Sequence, residues 1–176
     1  MPSPPTPLKH SILEAARPGL PEERVFVALG SNLGEREGWL RFALEAFEAK
    51  PGLRLLCCSP VEETQAVVLP HHPPGPPYLN AVAELRCVFS PLELLVFLLG
   101  LEEGAGRKRG GRWEARTLDL DILCFGDRHI GHPRLEVPHP RLHLRAFVLS
   151  PWAQIAPGLK VPGQGLSIAE LYARMA

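Results

Sequence analysis

No run of apolar residues in this sequence approaches the length of a membrane-spanning helix, and the N-terminus lacks a charged-then-apolar leader. The expectation is a cytoplasmic protein. Excess charge of either sign is missing too. Nineteen basic and nineteen acidic side chains cancel, leaving no global field to draw nucleic acid or an anionic membrane. The four cysteines, Cys57, Cys58, Cys87 and Cys124, have no C-x-x-C spacing and lie in apolar, strand-like runs. They read as buried, reduced thiols, not as zinc ligands or a disulfide framework. No internal repeat is visible. A chain of 176 residues can bury one good core and is short for two, so residues 24–176 read as one domain. Residues 1–23, rich in proline, read as an N-terminal extension outside that core, with disorder as one reading. The expectation is a monomer.

What is present alternates between strand and helix signals. Val25-Phe26-Val27-Ala28-Leu29 reads as a buried strand ending in the turn Gly30-Ser31-Asn32-Leu33-Gly34. A 3.6-period stripe of Trp39, Leu40, Ala43, Leu44 and Phe47 predicts a helix over 35–50, closed by Pro51-Gly52. A strand over 53–64 follows, with Pro60 at an edge or a bulge. The proline-rich loop 70–77 is too stiff and donor-poor for a central strand. Tyr78 to Val88 reads as a long strand, and Ser90-Pro91-Leu92-Glu93 as the cap of a helix running to about Glu103. Beyond 125, Gly126-Asp127 reads as a hairpin turn into a short strand at 128–131. The stretches 146–156 and 166–175 read as helices. Strand, helix, strand, strand, helix, strand is the split β-α-β pattern of a ferredoxin-like α+β sheet, antiparallel with helices packed on both faces.

The chemistry concentrates in Arg116-Thr117-Leu118-Asp119-Leu120-Asp121-Ile122. On a strand, Leu118, Leu120 and Ile122 point one way, and Asp119 and Asp121 point the other, about 7 Å apart along the backbone. An acidic outer face would look the same. Two carboxylates so placed also suit hard cations about 3.5–4 Å apart, of the kind that clamp a phosphoryl group. Arg107, Lys108, Arg109, Arg112 and Arg116 lead directly into the pair, and cations there suit a metal-bound polyphosphate.

Three separated segments carry a resemblance: VFVALGSNLGER (25–36), GRKRGGRWEARTLDLDILCFGD (106–127) and LEVPHPRLHLRAFVLSPWAQIAP (135–157), with YLNAV (78–82) between them. Together they resemble the 6-hydroxymethyl-7,8-dihydropterin pyrophosphokinases of folate biosynthesis. That family has a ferredoxin-like fold and transfers the β,γ-diphosphate of ATP to the hydroxymethyl group of a reduced pterin, leaving AMP. The resemblance implies that Asp119 and Asp121 hold two Mg²⁺ ions, and that Arg107, Arg109 and Arg116 lie along the phosphates. It places His139 and Arg145 at the triphosphate, Ile122 at the adenine and Glu102 on the nucleotide side of the second helix. Tyr78 and Phe147 would sandwich the pterin, Asn80 would bond its edge, Trp113 would close over it beside the nucleotide, and Thr64 would lie on the pterin side. Gly30 would let the pterin approach the backbone.

The chain departs from the family after Thr64, where Gln65-Ala66-Val67 replaces a proline-containing sequence. It departs again at Leu99 and Gly100, where some relatives have polar nucleotide contacts. Lys108 and Arg109 both remain candidates for the phosphate-facing cation.

Other readings of the same residues stay open. Tyr78 and Phe147 could be core aromatics, since stacking and packing use the same rings. His139 and His143 stand at i, i+4 like a metal pair, without a third ligand nearby in sequence. A nucleotidyltransferase also combines Gly-Ser with D-x-D, yet in that class the two motifs lie close together. A ferredoxin-like binding module would explain the fold but not the basic residues ahead of the acids.

Overall fold

The computed structural model describes residues 21–65, 75–106 and 116–175. The expectations for the N-terminal extension up to residue 20, for most of the proline loop, and for Arg107, Lys108, Arg109, Arg112 and Trp113 lie outside the described residues. Strand β1 (Glu23–Ser31) is apolar on both faces because both are covered. Val25, Val27 and Leu29 enter one core, and Phe26 enters the other. Helix α1 (Arg36–Ala49) turns Leu40, Ala43 and Phe47 inward. Gly52 closes the turn that follows at φ +89, where a Cβ would sit 2.8 Å from Val88 Cγ2, so only glycine fits.

The expected strand over 53–64 is two strands, β2 (Leu53–Cys58) and β3 (Glu62–Thr64), both paired with β4 (Tyr78–Cys87). Pro60 has no N–H to give the ladder, and Ser59 mends the gap. Its backbone N–H donates to Val82 O at 2.9 Å, and its hydroxyl accepts the Val82 N–H at 3.0 Å. Helix α2 (Pro91–Gly104) begins at the expected capping box, with Glu93 N–H donating to Ser90 Oγ and Ser90 N–H to Glu93 Oε2.

Strand β5 (Asp119–Phe125) runs antiparallel to β1, and the sheet order is β2-β4-β1-β5. This is the ferredoxin-like order that the element sequence implied. Helices α1 and α2 share a core with Val27, Leu29, Leu85, Leu94 and Leu98 on one face. On the other, α3 (Ala146–Ile155) and α4 (Ile168–Ala173) pack around Phe26, Val82 and Leu149, with Trp152 5.2 Å from Phe26 between ring centroids.

One expectation needs correction. Gly126-Asp127 does not fold a second strand back onto β5. The chain turns there, Arg128 bonds Glu23 at 2.8 Å, and β6 (Ile130–His132) pairs with β7 (Leu135–Val137) in a separate two-stranded sheet. The free edge of β5 has other partners: the Leu120 N–H donates to Glu102, and the Leu123 carbonyl accepts the His139 N–H at 2.9 Å.

Candidate active site

Gly30 faces Asn80 on one neighbouring strand and Asp119 on the other. Asn80 in turn faces Glu62, and Tyr78 faces Thr64. Alternation along each strand puts Thr64, Tyr78, Asn80, Gly30, Asp119 and Asp121 on one face, the face that α3 covers further along at Phe26 and Val82. Gly30 is the floor of this patch. A Cβ there would meet Asn80 Oδ1 at 3.5 Å, the Asp119 Cβ at 3.9 Å and Tyr78 Cδ1 at 4.0 Å. The missing side chain therefore leaves a hollow among three polar neighbours.

The two aspartates differ in their partners. Arg116 Nη1 donates to Asp119 Oδ1 at 2.7 Å, and Arg145 Nη1 donates to Asp121 Oδ2 at 3.1 Å. Asp119 is 24% exposed and Asp121 37%, so both remain open to a ligand. Burial works against the Arg116 charge, but Asp119, with Tyr78 and Asp121 adding to it, raises its pKa above the ordinary arginine value. His139 Nε2 lies 3.9 Å from Asp121 Oδ2, and its Nδ1 accepts the Arg141 N–H at 3.1 Å. That bond leaves the proton of a neutral ring on Nε2, facing the carboxylate. Burial lowers the His139 pKa below 6.5; Asp121 raises it in part, and Arg145 and Arg141 lower it further.

The donor set suits magnesium. Two half-buried carboxylates share one rigid strand face, and among the described residues no group of three His, Cys, Asp or Glu side chains forms a metal cage. Mg²⁺ characteristically takes one or two carboxylates and completes its octahedron with substrate phosphates and water.

On the β4 side of Gly30, Asn80 Nδ2 donates to Thr64 Oγ1 at 2.7 Å, which fixes the orientation of the amide. Phe147 lies in the first turn of α3, half-buried, with the Arg145 guanidinium 5.7 Å from its ring centre. Glu62 accepts from Ser150 and Gln154 of that helix and ties α3 to β3.

Ile122 and Glu102 are not on this face. Ile122 is buried in the opposite core with Leu118 and Leu120, and Glu102 is buried at the end of α2. Glu102 meets the site through the backbone of β5, where it accepts the Leu120 N–H.

Asn32, expected in the turn that Gly30 opens, has a further role. Its backbone N–H donates to Arg116 O at 3.0 Å, its Oδ1 accepts the Arg116 N–H at 2.7 Å, and its Nδ2 donates to Pro76 O at 3.2 Å. One side chain thus joins the β1–α1 turn to the entries of both β5 and β4. A short amide just before a helix was the available signal, since asparagine readily bonds nearby backbone; partners this far away in sequence were not. Asn32→Ala removes the bonds to the Arg116 N–H and the Pro76 carbonyl, both only part-buried, and the expected loss is about 1–2 kcal/mol, read as a lower urea midpoint at unchanged slope.

Residues 26–157 match the family described as 7,8-dihydro-6-hydroxymethylpterin-pyrophosphokinase. A 2-amino-4-hydroxy-6-hydroxymethyldihydropteridine pyrophosphokinase of Pseudomonas aeruginosa is 45% identical over 152 residues, covering 86% of this chain and 91% of that protein. A protein of the same name from Synechocystis sp. is 39% identical over 145 residues, covering 82% and 72%. Among solved structures, an HPPK-DHPS in complex with substrates aligns with a TM-score of 0.70 at 14% identity, over 88% of this chain and 44% of that one. Wild-type HPPK-DHPS of Plasmodium falciparum with pteroate aligns at 0.66 and 14% identity, over 88% and 42%. This chain spans under half of those two, and the likeness to them concerns the fold. The close relatives and the family match carry the assignment: the chain belongs to the 7,8-dihydro-6-hydroxymethylpterin-pyrophosphokinase family.

Proposed function

We propose that the β,γ-diphosphate of ATP passes to the hydroxymethyl group of 6-hydroxymethyl-7,8-dihydropterin over the Gly30–Asp119–Asp121 patch, and that AMP leaves. The pyrophosphokinase activity and its place in folate biosynthesis follow from the family. The observation that carries the placement is the register of Asn80, Gly30 and Asp119 across three strands, which sets the pterin-reading groups beside the carboxylates.

Asp119 and Asp121 hold two Mg²⁺ ions, which when bound offset phosphate charge and acidify the pterin hydroxyl. The protein's own share is positioning and fixed charge, which dominate phosphoryl transfer. Arg116 and Arg145, now on the carboxylates, are within a side-chain swing of any phosphate bound there. His139 presents a neutral Nε2–H to the same oxygens. By the family resemblance, Arg107 and Arg109 add cations along the triphosphate, and Trp113 closes over the pterin beside the nucleotide. Tyr78 and Phe147 sandwich the ring, Asn80 and Thr64 read its edge, and Gly30 leaves room for it. Ile122 and Glu102 support the nucleotide side from behind β5. The balanced charge of the chain gives no field to recruit nucleic acid or an anionic membrane, and the enzyme acts as a monomer on two small molecules.

Product analysis tests this directly. Incubation with Mg²⁺, ATP and the reduced pterin gives AMP and a pterin diphosphate in equal amounts. Release of pyrophosphate would mark a nucleotidyltransferase, and pterin binding without ATP turnover a binding module. Phe147→Ala separates stacking from packing. Loss of one face of the slot weakens pterin binding by roughly 1–3 kcal/mol and ATP binding by less, in calorimetric titrations. Equal losses for both ligands mean that Phe147 is only a core residue.

A further inference from the structure

Helix α2 buries Leu94 and Leu98 toward the sheet, and the next position on that stripe is Glu102. A carboxylate there, only 3% exposed, is out of place on packing grounds. Its Oε1 accepts the Leu120 N–H at 2.8 Å. Leu120 stands between Asp119 and Asp121. In an antiparallel pair, successive residues direct their N–H groups alternately toward the partner strand and away from it. Among the described residues β5 is the last strand in the sheet, so an N–H pointing away meets no described strand. Glu102 takes it.

We infer that Glu102 is a positioning residue for the metal-binding pair. It acts through the Leu120 N–H and holds the peptide between Asp119 and Asp121 so that both carboxylates present the spacing the cations need. The side-chain directions of Asp119 and Asp121 are set by the pleat of that peptide, and β1 restrains only one side of it. From the other side, Glu102 is the only described side chain bonded to the backbone of β5 within Asp119–Asp121. The role differs from a contact with ATP: Glu102 stands on α2, which packs on the opposite face of the sheet from the carboxylates, and its own carboxylate is covered at the β5 edge. It rests on the assignment of Asp119 and Asp121 as metal ligands.

The test uses the full chain and its Glu102→Ala, Glu102→Gln and Asp121→Asn variants, with Mn²⁺ as the cation and a non-hydrolysable ATP analogue. Two quantities are read, namely amide exchange at Leu120 in the free protein and Mn²⁺ affinity in the presence of the analogue. In Glu102→Ala the Leu120 amide exchanges faster and Mn²⁺ affinity falls about 10–100-fold, the usual cost of losing a group that orients a metal ligand. Glu102→Gln keeps an acceptor oxygen and recovers most of both, which also covers the case in which the alanine variant does not fold.

Wild-type Mn²⁺ affinity in Glu102→Ala, beside a clear loss in Asp121→Asn, overturns the positioning role and leaves the metal assignment standing. No loss in either variant overturns both. A Glu102→Gln protein as weak as Glu102→Ala, or an analogue affinity that falls equally in EDTA, means that Glu102 acts by its charge on the nucleotide, and the inference fails.

Discussion

Asp121→Asn turns over about a thousandfold more slowly than the wild type, or worse, while unfolding at nearly the same urea concentration. Three decades in rate correspond to about 4 kcal/mol of transition-state stabilisation, in line with the several kcal/mol a catalytic cation supplies. With Asp121 as the proposed metal ligand, an amide of the same shape replaces a charged oxygen by a neutral one, and magnesium binds that poorly. Stability should hardly move. The Asp121–Arg145 pair is more than a third exposed on the aspartate side, and pairs in that setting contribute about 0–1 kcal/mol. Asparagine also keeps an acceptor for Arg145. Asp119→Asn is expected to lose turnover likewise; its pair with Arg116 is less exposed and so contributes more to stability than the Asp121 pair, although Arg116 can still bond an amide oxygen. Steady-state turnover and a denaturant curve on each purified variant decide the matter. A folded Asp121→Asn enzyme within a fewfold of wild-type turnover would remove the two-cation reading, whatever the fold.

Features determined by near neighbours were legible in the sequence. The capping box at Ser90 and Glu93 is complete within four residues, and it forms as read. The apolar stripe of α1 lies within one helix, and the alternation from Leu118 to Ile122 needs only that the segment be extended. Even the two-core character of β1 shows in its unbroken apolar run. Choices among distant partners were not legible. A turn at Gly126-Asp127 was a fair inference from local chemistry, but what the next strand pairs with depends on what already occupies the edge of β5. Ser59 beside Pro60 gave no sign that its hydroxyl would replace a ladder bond to Val82. Asn32 reads as a helix-entry residue, although its amide clamps Arg116 across a separation of 84 positions. Glu102 was assigned to the nucleotide side by resemblance, and only the packing of α2 onto the edge strand reveals a bonded backbone N–H between the two aspartates. Tertiary neighbours give these polar residues their meaning, and periodicity cannot supply them.

Arg116→Ala is expected to separate two properties that usually fall together. In the free protein the Arg116 guanidinium lies 2.7 Å from Asp119 Oδ1, on an oxygen that the proposed function assigns to a cation. Removing it deletes a competitor, so Mn²⁺ without nucleotide should bind the variant as tightly as the wild type or more tightly. Turnover should collapse all the same if, as proposed, the same guanidinium offsets charge developing on the phosphates in the reacting complex. Arginines in that role are worth about 10³–10⁵ in kcat, and Arg116→Lys should recover little, since an ammonium lacks the planar fork that fits phosphate oxygens. Both arms are needed. If Arg116→Ala lost Mn²⁺ affinity in step with turnover, the arginine would be shaping the carboxylate, and its contribution would be made before any phosphate arrived. If Mn²⁺ affinity held and turnover fell by less than tenfold, the charge on the transferred group would have to be met by Arg145 and the cations that precede Arg116 in the chain. Tight metal binding with lost catalysis is the outcome that identifies Arg116 as a group that moves from Asp119 to the phosphates during each turnover.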